Sequence, residues 1–201
     1  MIRAIATDMD GTFLNSAKNY DREQFDRVYA KMCQQDIKFI VASGNQYEQL
    51  KAFFPGKADD IAFVSDNGSQ IFEHDQLVNA TTIPRPVVTH ILADVFKLES
   101  LKHVTLSGLR SAYILESATP AGRQNARQYY YKLKEVSDFP TVDDDISKIN
   151  LLVDDAVKDS VTATINERFP TAASMYCGRS VRPVKSCSFK RSIYSSVFLF
   201  K

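Results

Sequence analysis

The chain of 201 residues is 44% hydrophobic and 24% charged, which is enough apolar material for one or two compact domains. Its net charge of +1 provides no overall field that would favour nucleic acid, and no apolar run is long enough to span a bilayer. The three cysteines lack paired spacing, which argues against a disulfide framework or a zinc site. We therefore expect a cytoplasmic protein without nucleic-acid or membrane partners.

Strand and helix patterns alternate along the first 81 residues. Asp21 is followed three residues later by Gln24, which is typical of a capping box at the start of a helix. Alternation of this kind predicts a parallel sheet with crossover helices. The predicted strands cover residues 2–7, 38–42 and 61–65, the helices follow Asp21 and Asn45, and a hairpin is predicted at 70–80.

The pattern changes after the prolines at positions 84 and 86, and residues 82–176 read as a second, α+β domain. The last segment, 177–201, contains no Asp or Glu and shows no convincing strand or helix period. The predicted elements of the second domain are helices at 87–98, 120–133 and 155–169 and strands at 103–107, 112–115 and 146–153.

Polar clusters follow three of the predicted strands, at residues 8–12, 43–45 and 66–68. The carboxyl ends of neighbouring parallel strands lie at one edge of a sheet, which is where ligands bind in such folds. We therefore expect these three segments to converge on one site, with residues 66–68 serving mainly as a turn.

Asp8 and Asp10 are the side chains in this group with the clearest chemistry. Residues two apart in a strand share a face, so both carboxylates can point at one ion or substrate. Paired oxygens suit Mg²⁺, one carboxylate can attack phosphorus, and a second can act as general acid and base. The alternative for an isolated Asp-x-Asp pattern is a plain turn after a strand.

The longer motif around this pair favours the catalytic interpretation over a plain turn. DMDGTFL at 8–14 resembles the first motif of the haloacid dehalogenase (HAD) superfamily, and Ser43 within VASGN resembles the second motif. The segments FIVASGNQYEQL, FFPG, SGLRSAY and YYYKLK are similar to the Cof-type (subclass IIB) bacterial sugar-phosphate phosphatases. The resemblance covers residues 1 to about 176.

The resemblance implies a Rossmann-like parallel-sheet core at residues 1–81 and an inserted C2-type cap domain at 82–176. It implies that Asp8 is the nucleophile and a magnesium ligand. It further implies that Asp10 is the general acid and base and binds the metal through its backbone carbonyl. The phosphate-binding residues that it implies are Ser43, Gly44 and Asn45, and the cap residues that would contact the sugar are Gly108 and Tyr113. For Tyr113, packing is the alternative.

The sequence departs from the family after the cap, where a lysine and then a GDxxND acidic motif would be expected. No such acidic motif follows Asp155, and neither Lys185 nor Lys190 stands in a family-like context. We interpret the chain as truncated or altered after about residue 176, with 177–201 as an atypical tail. The lost strands would leave an exposed sheet edge, through which self-association is expected.

The leading hypothesis is a Mg²⁺-dependent phosphomonoester hydrolase that acts on sugar phosphates through a phospho-aspartate. The alternative is a catalytically inactive phosphate-binding or regulatory remnant of that family, which the missing acidic motif favours. A receiver-type signalling domain is disfavoured, because its acceptor aspartate follows a later strand. The acidic run at 143–145 is interpreted as a solvated loop and not as a metal site.

Overall fold

The computed structural model describes residues 2–154, 156–169, 174–177 and 186–190. The chain forms two compact units, one of which includes the described residues up to Asn79, while the other begins at Ala80. Both combine helices with sheets that contain parallel strand pairs, which confirms the predicted α/β class. No helix in the described part of the chain is both long and apolar enough to cross a membrane.

The first unit is a five-stranded sheet with two helices. Its strands lie in the order β1-β2-β3-β4-β5, with β1–β2 and β2–β3 parallel and β3–β4 antiparallel. The elements are β1 (Ala4–Asp8), α1 (Arg22–Gln34), β2 (Lys38–Ala42), α2 (Tyr47–Phe53), β3 (Ala62–Ser65), β4 (Gln70–Glu73) and β5 (Gln76–Ala80).

Helix α1 begins where the capping pattern predicts. The Asp21 carboxylate accepts a hydrogen bond from the backbone N–H of Gln24 at 2.8 Å, which satisfies one of the unpaired donors at the helix start. Phe25, Tyr29 and Met32 recur at helical spacing and are buried in the core of this unit. Phe13 packs edge-on against Phe25 with ring centroids 5.4 Å apart. The segment after β1 is thereby anchored to the core.

The second unit is built on a six-stranded sheet in the order β10-β11-β9-β6-β7-β8. Strand β9 pairs antiparallel with both β6 and β11, whereas β7 and β8 are parallel. Its elements are α3 (Arg85–Val95), β6 (Leu101–Gly108), β7 (Ala112–Leu115), α4 (Pro120–Tyr129), β8 (Leu133–Val136), β9 (Ile146–Val153), α5 (Lys158–Arg168), β10 (Ser174–Cys177) and β11 (Ser186–Lys190).

Three strands of this sheet, β8, β10 and β11, were absent from the sequence prediction. Helix α4 ends at Tyr129, and β8 follows it where the helix was predicted to continue to residue 133. The pairing of β8 with β7 accounts for this change, since tertiary contacts override local propensity. Strand β11 lies within 177–201, where no strand was predicted. The alternation of polar and apolar residues in SCSFK was the missed signal.

Strand β1 lies at the end of its sheet. Among the described residues it pairs with β2 alone, and Ile5 within it is 40% exposed. An apolar strand with one side unpaired by the described residues can pair with a strand of another chain.

Candidate active site

The candidate nucleophile lies at the carboxyl end of β1. Met9 is fully buried, while Asp8 and Asp10 on either side of it are exposed, so the two carboxylates share the solvent side of the turn. The backbone N–H of Leu14 donates to the carbonyl of Met9 at 2.8 Å, and Leu14 is itself buried. Gly11 supplies the left-handed backbone angle, with φ of +78°, that turns the chain.

The Ser-Gly-Asn loop follows the neighbouring strand. The register of β1 and β2 places Asp8 opposite Ala42, the residue before Ser43. The side-chain amide of Asn45 donates to Oδ2 of Asp10 at 3.3 Å, and its backbone N–H donates to Oγ of Ser43 at 3.2 Å. The structure therefore brings the ends of β1 and β2 together, as the convergence of polar clusters predicted.

The turn after β3 supports this loop. The backbone N–H of Asp66 donates to the carbonyl of Asn45, and that of Asn67 donates to the carbonyl of Ser43, both at 3.0 Å. A Cβ atom at Gly44 would lie 2.6 Å from Oδ1 of Asn67, so a larger residue here would displace the Asn67 side chain. Residues 66–68 form the predicted turn, and they also hold the loop after β2, a role that the sequence did not indicate.

The two aspartates differ in their surroundings. The carboxylate of Asp8 makes no hydrogen bond or ion pair with any residue that the structure describes. The carboxylate of Asp10 is held by the Lys18 ammonium at Oδ1 and by Asn45 at Oδ2. Sequence reasoning missed Lys18, because a lysine in a polar loop eight residues downstream carries no local pattern.

The oxygen donors at this edge fit a magnesium ion only in part. No group of three or more His, Cys, Asp or Glu side chains that could hold a metal occurs among the described residues. The Asp8 carboxylate and the Asp10 carbonyl are hard oxygen donors, and Mg²⁺ is commonly held by one or two carboxylates together with waters and substrate phosphate. These residues would therefore bind the ion weakly until phosphate or further ligands join it.

Gly108 and Tyr113 lie in the second unit, at the β6–β7 hairpin. The Tyr113 hydroxyl donates to Oδ2 of Asp144 at 2.8 Å, and burial, aided by this bond, raises the pKa of Tyr113 to about 12. The backbone N–H of Arg110 donates to the same oxygen at 2.9 Å, and a Cβ at Gly108 would lie 2.3 Å from it. The hydroxyl of Tyr113 is thus hydrogen-bonded to the segment that precedes β9, which gives this side chain a structural role.

This geometry corrects one prediction about the acidic run. The side chain of Asp143 is fully exposed, as a solvated loop requires, but that of Asp144 is only 2% exposed. Because its carboxylate accepts bonds from Tyr113 and Arg110, Asp144 closes the hairpin and is not part of a solvated surface.

Paired aspartates at the end of a parallel strand, facing a Ser-Gly-Asn loop on the next strand, define an α/β protein with a strand-end acidic site. The family model described as haloacid dehalogenase-like hydrolase matches residues 5–182. The chain belongs to this family, and the match extends slightly past residue 176.

The chain is similar in sequence to a curated phosphatase and similar in fold to solved structures. The chain is 35% identical over 166 residues to the 5-amino-6-(5-phospho-D-ribitylamino)uracil phosphatase YbjI of Escherichia coli (strain K12), covering 83% of this chain and 61% of YbjI. The structure of SMU.1108c from Streptococcus mutans UA159 superimposes with a TM-score of 0.85 at 24% identity. The match covers 96% of this chain and 71% of SMU.1108c. The HAD subclass IIB sugar phosphatase BT4131 superimposes with a TM-score of 0.66 at 14% identity. The match covers 94% of this chain and 70% of BT4131. The chain thus spans about three fifths of the length of its curated relative.

Proposed function

We propose that this chain carries the nucleophile and cap portions of a Mg²⁺-dependent phosphatase that hydrolyses phosphate monoesters of sugars or sugar alcohols. The observation that carries this proposal is the unengaged Asp8 carboxylate at the end of β1, beside Asp10 and the Ser43–Asn45 loop. A carboxylate without a competing partner is available to attack an electrophile.

The chemistry would proceed in two steps. In the first, an Asp8 oxygen bonds to phosphorus, the ester P–O bond breaks, and the carboxyl proton of Asp10 passes to the leaving alcohol oxygen. In the second, the Asp10 carboxylate takes a proton from a water molecule whose oxygen bonds to phosphorus. The bond between phosphorus and Asp8 then breaks, which releases inorganic phosphate and restores the Asp8 carboxylate and the protonated Asp10 carboxyl group.

The phosphoryl oxygens would be held by the loop after β2. The Ser43 hydroxyl and the backbone N–H groups of Gly44 and Asn45 are hydrogen-bonding groups of the kind that stabilise developing negative charge. A bound Mg²⁺, held by Asp8 and the Asp10 carbonyl, would supply charge neutralisation at the phosphoryl group. The turn at 66–68 fixes this loop through two backbone hydrogen bonds, so its shape is set before substrate binds.

The substrate class is proposed from the relatives. The name of YbjI describes a phosphate ester of a ribityl group, and BT4131 is a sugar phosphatase. Both names describe polyhydroxylated phosphate monoesters, so small molecules of this class are the proposed substrates. We also propose that Gly108 and Tyr113 contact the sugar, which kinetics of a Tyr113→Phe variant would test.

A second candidate function is a phosphate-binding or regulatory protein without turnover. It is favoured by the small number of accessible carboxylates at the sheet edge, where Asp8 and Asp10 are exposed but Asp66 is buried. The described residues form no group of three or more metal-binding side chains. Phosphate would then bind at the Ser43–Asn45 loop without being transferred.

Phosphate release from a panel of hexose, pentose and polyol phosphates, measured with and without Mg²⁺ and beside an Asp8→Asn control, separates the two candidates. Magnesium-dependent release that the control abolishes supports the phosphatase. Binding of inorganic phosphate by calorimetry, without release from any ester, supports the second candidate.

A further inference from the structure

A lysine that none of the sequence motifs includes contacts the candidate acid. The Lys18 ammonium forms an ion pair with Oδ1 of Asp10, while the Asn45 side-chain amide approaches Oδ2 at 3.3 Å. One partner comes from the loop after β1 and the other from the loop after β2. The two oxygens of Asp10 are therefore held from opposite sides.

The loop that carries Lys18 has an ordered shape. Oδ1 of Asn15 accepts the backbone N–H groups of Ala17 at 2.9 Å and Asn19 at 3.1 Å. The N–H of Asn15 donates to the carbonyl of Asn19, and that of Lys18 donates to the carbonyl of Asn15, both at 2.9 Å. Four hydrogen bonds within five residues make this loop a compact turn.

The backbone of Lys18 is held in an unfavourable conformation. Its φ is +56°, in the left-handed region that residues other than glycine and asparagine seldom occupy. The turn maintains this angle and thereby directs the lysine side chain back towards Asp10. A strained residue whose side chain contacts a candidate catalytic group suggests a role in function.

The ion pair contributes little to folding stability. The side chains of Lys18 and Asp10 are 55% and 41% exposed, and exposed pairs of this kind are screened by water. Its effect would therefore be on the orientation of the Asp10 carboxyl group and not on the fold.

We propose that Lys18 is a positioning residue that fixes the Asp10 carboxyl plane so that Oδ2 faces the leaving group of a bound phosphate ester. This inference rests on the proposed phosphatase function. The Asn45 amide is at 3.3 Å, a long hydrogen bond, so it is the contact that gives way when substrate approaches Oδ2. Lys18 remains bonded to Oδ1 of Asp10, so the Asp10 proton is delivered to the leaving group from a fixed direction.

Kinetics of Lys18→Met and Lys18→Arg test this role. Loss of the ammonium should lower kcat about tenfold with KM changed less than about twofold, because orientation acts on the transition state and not on substrate binding. Lys18→Arg should recover most of kcat, since it keeps a cationic donor. Lys102→Met, which breaks the exposed pair of Lys102 with Asp154 at 2.6 Å, is the matched control and should leave kcat unchanged. A rise in KM with kcat intact would overturn positioning in favour of substrate binding by Lys18.

A second measurement reports on the contact without turnover. The side-chain amide protons of Asn45, followed by NMR in protein without substrate, should shift in Lys18→Met and remain in place in Lys102→Met, because Asp10 loses one of its two partners. Unchanged Asn45 resonances would refute the positioning role whatever the activity. If the wild-type chain releases no phosphate while the resonances shift, the positioning of Asp10 by Lys18 stands and the phosphatase function fails.

Discussion

Gly44 offers a stringent test of how the Ser43–Asn45 loop is held. A Cβ atom at this position would lie 2.6 Å from Oδ1 of Asn67, about 0.8 Å closer than the 3.4 Å at which ordinary contact begins. The backbone of Asn67 is held by the bond from its N–H to Ser43 and has a φ of +60°, so its side-chain amide has to rotate away to relieve the clash. Gly44→Ala should therefore lower the free energy of unfolding by about 1–3 kcal/mol, the range for overpacking.

Removing the Asn67 side chain should relieve the clash with a Cβ atom at position 44. Asn67→Gly removes the side chain and suits the left-handed backbone angle, so Gly44→Ala should cost much less in an Asn67→Gly background. Urea unfolding of the four proteins in this cycle measures the coupling. Phosphate release should follow the same order, since a loop displacement of about 1 Å can cost on the order of a hundredfold in rate. An equal cost of Gly44→Ala in both backgrounds would refute the reasoning.

Three further predictions concern other parts of the chain. Tyr113→Phe should cost about 1 kcal/mol of stability with KM unchanged if the hydroxyl serves only the hairpin, and a raised KM would instead support its proposed contact with the sugar. Burial lowers the pKa of His103 below 6.5, so the unfolded chain binds more protons between the two pKa values and stability should decrease as pH falls through this window. His103→Gln should flatten that slope in urea unfolding at and below pH 6.5, and an unchanged slope would contradict this assignment. Ile5→Lys on the exposed strand β1 should reduce self-association in sedimentation velocity, and an unchanged monomer fraction would argue against that edge as the contact.

Much of the first unit could be predicted from the sequence, because local signals and tertiary pairing agree there. The capping pattern at Asp21 places the start of α1, and the apolar run of β2 matches its predicted bounds. The site follows from the same agreement, since parallel strands bring Asp8 and the residues after Ala42 to one edge. The predicted grouping of Asp10 with Asn45 is visible in their 3.3 Å contact.

The features that could not be predicted depend on contacts between segments distant in sequence. Strand β8 exists because β7 offers it a parallel partner, and no local pattern distinguishes its residues from the end of α4. The burial of Asp144 follows from a hairpin more than thirty residues away. Lys18 reaches Asp10 through a turn stabilised by Asn15, a combination that its own sequence context does not indicate.

A phospho-enzyme measurement on Asp8 tests whether this residue is the nucleophile. The protein would be incubated with a sugar phosphate and Mg²⁺, quenched in acid, and the phosphorylated residue located by mass spectrometry beside an Asp8→Asn control. We expect an acid-stable phosphoryl group on Asp8 that is absent without Mg²⁺ and absent in the control. Magnesium-dependent phosphate release with no phosphoryl group on Asp8, or with full activity in Asp8→Asn, would contradict the assignment of the nucleophile.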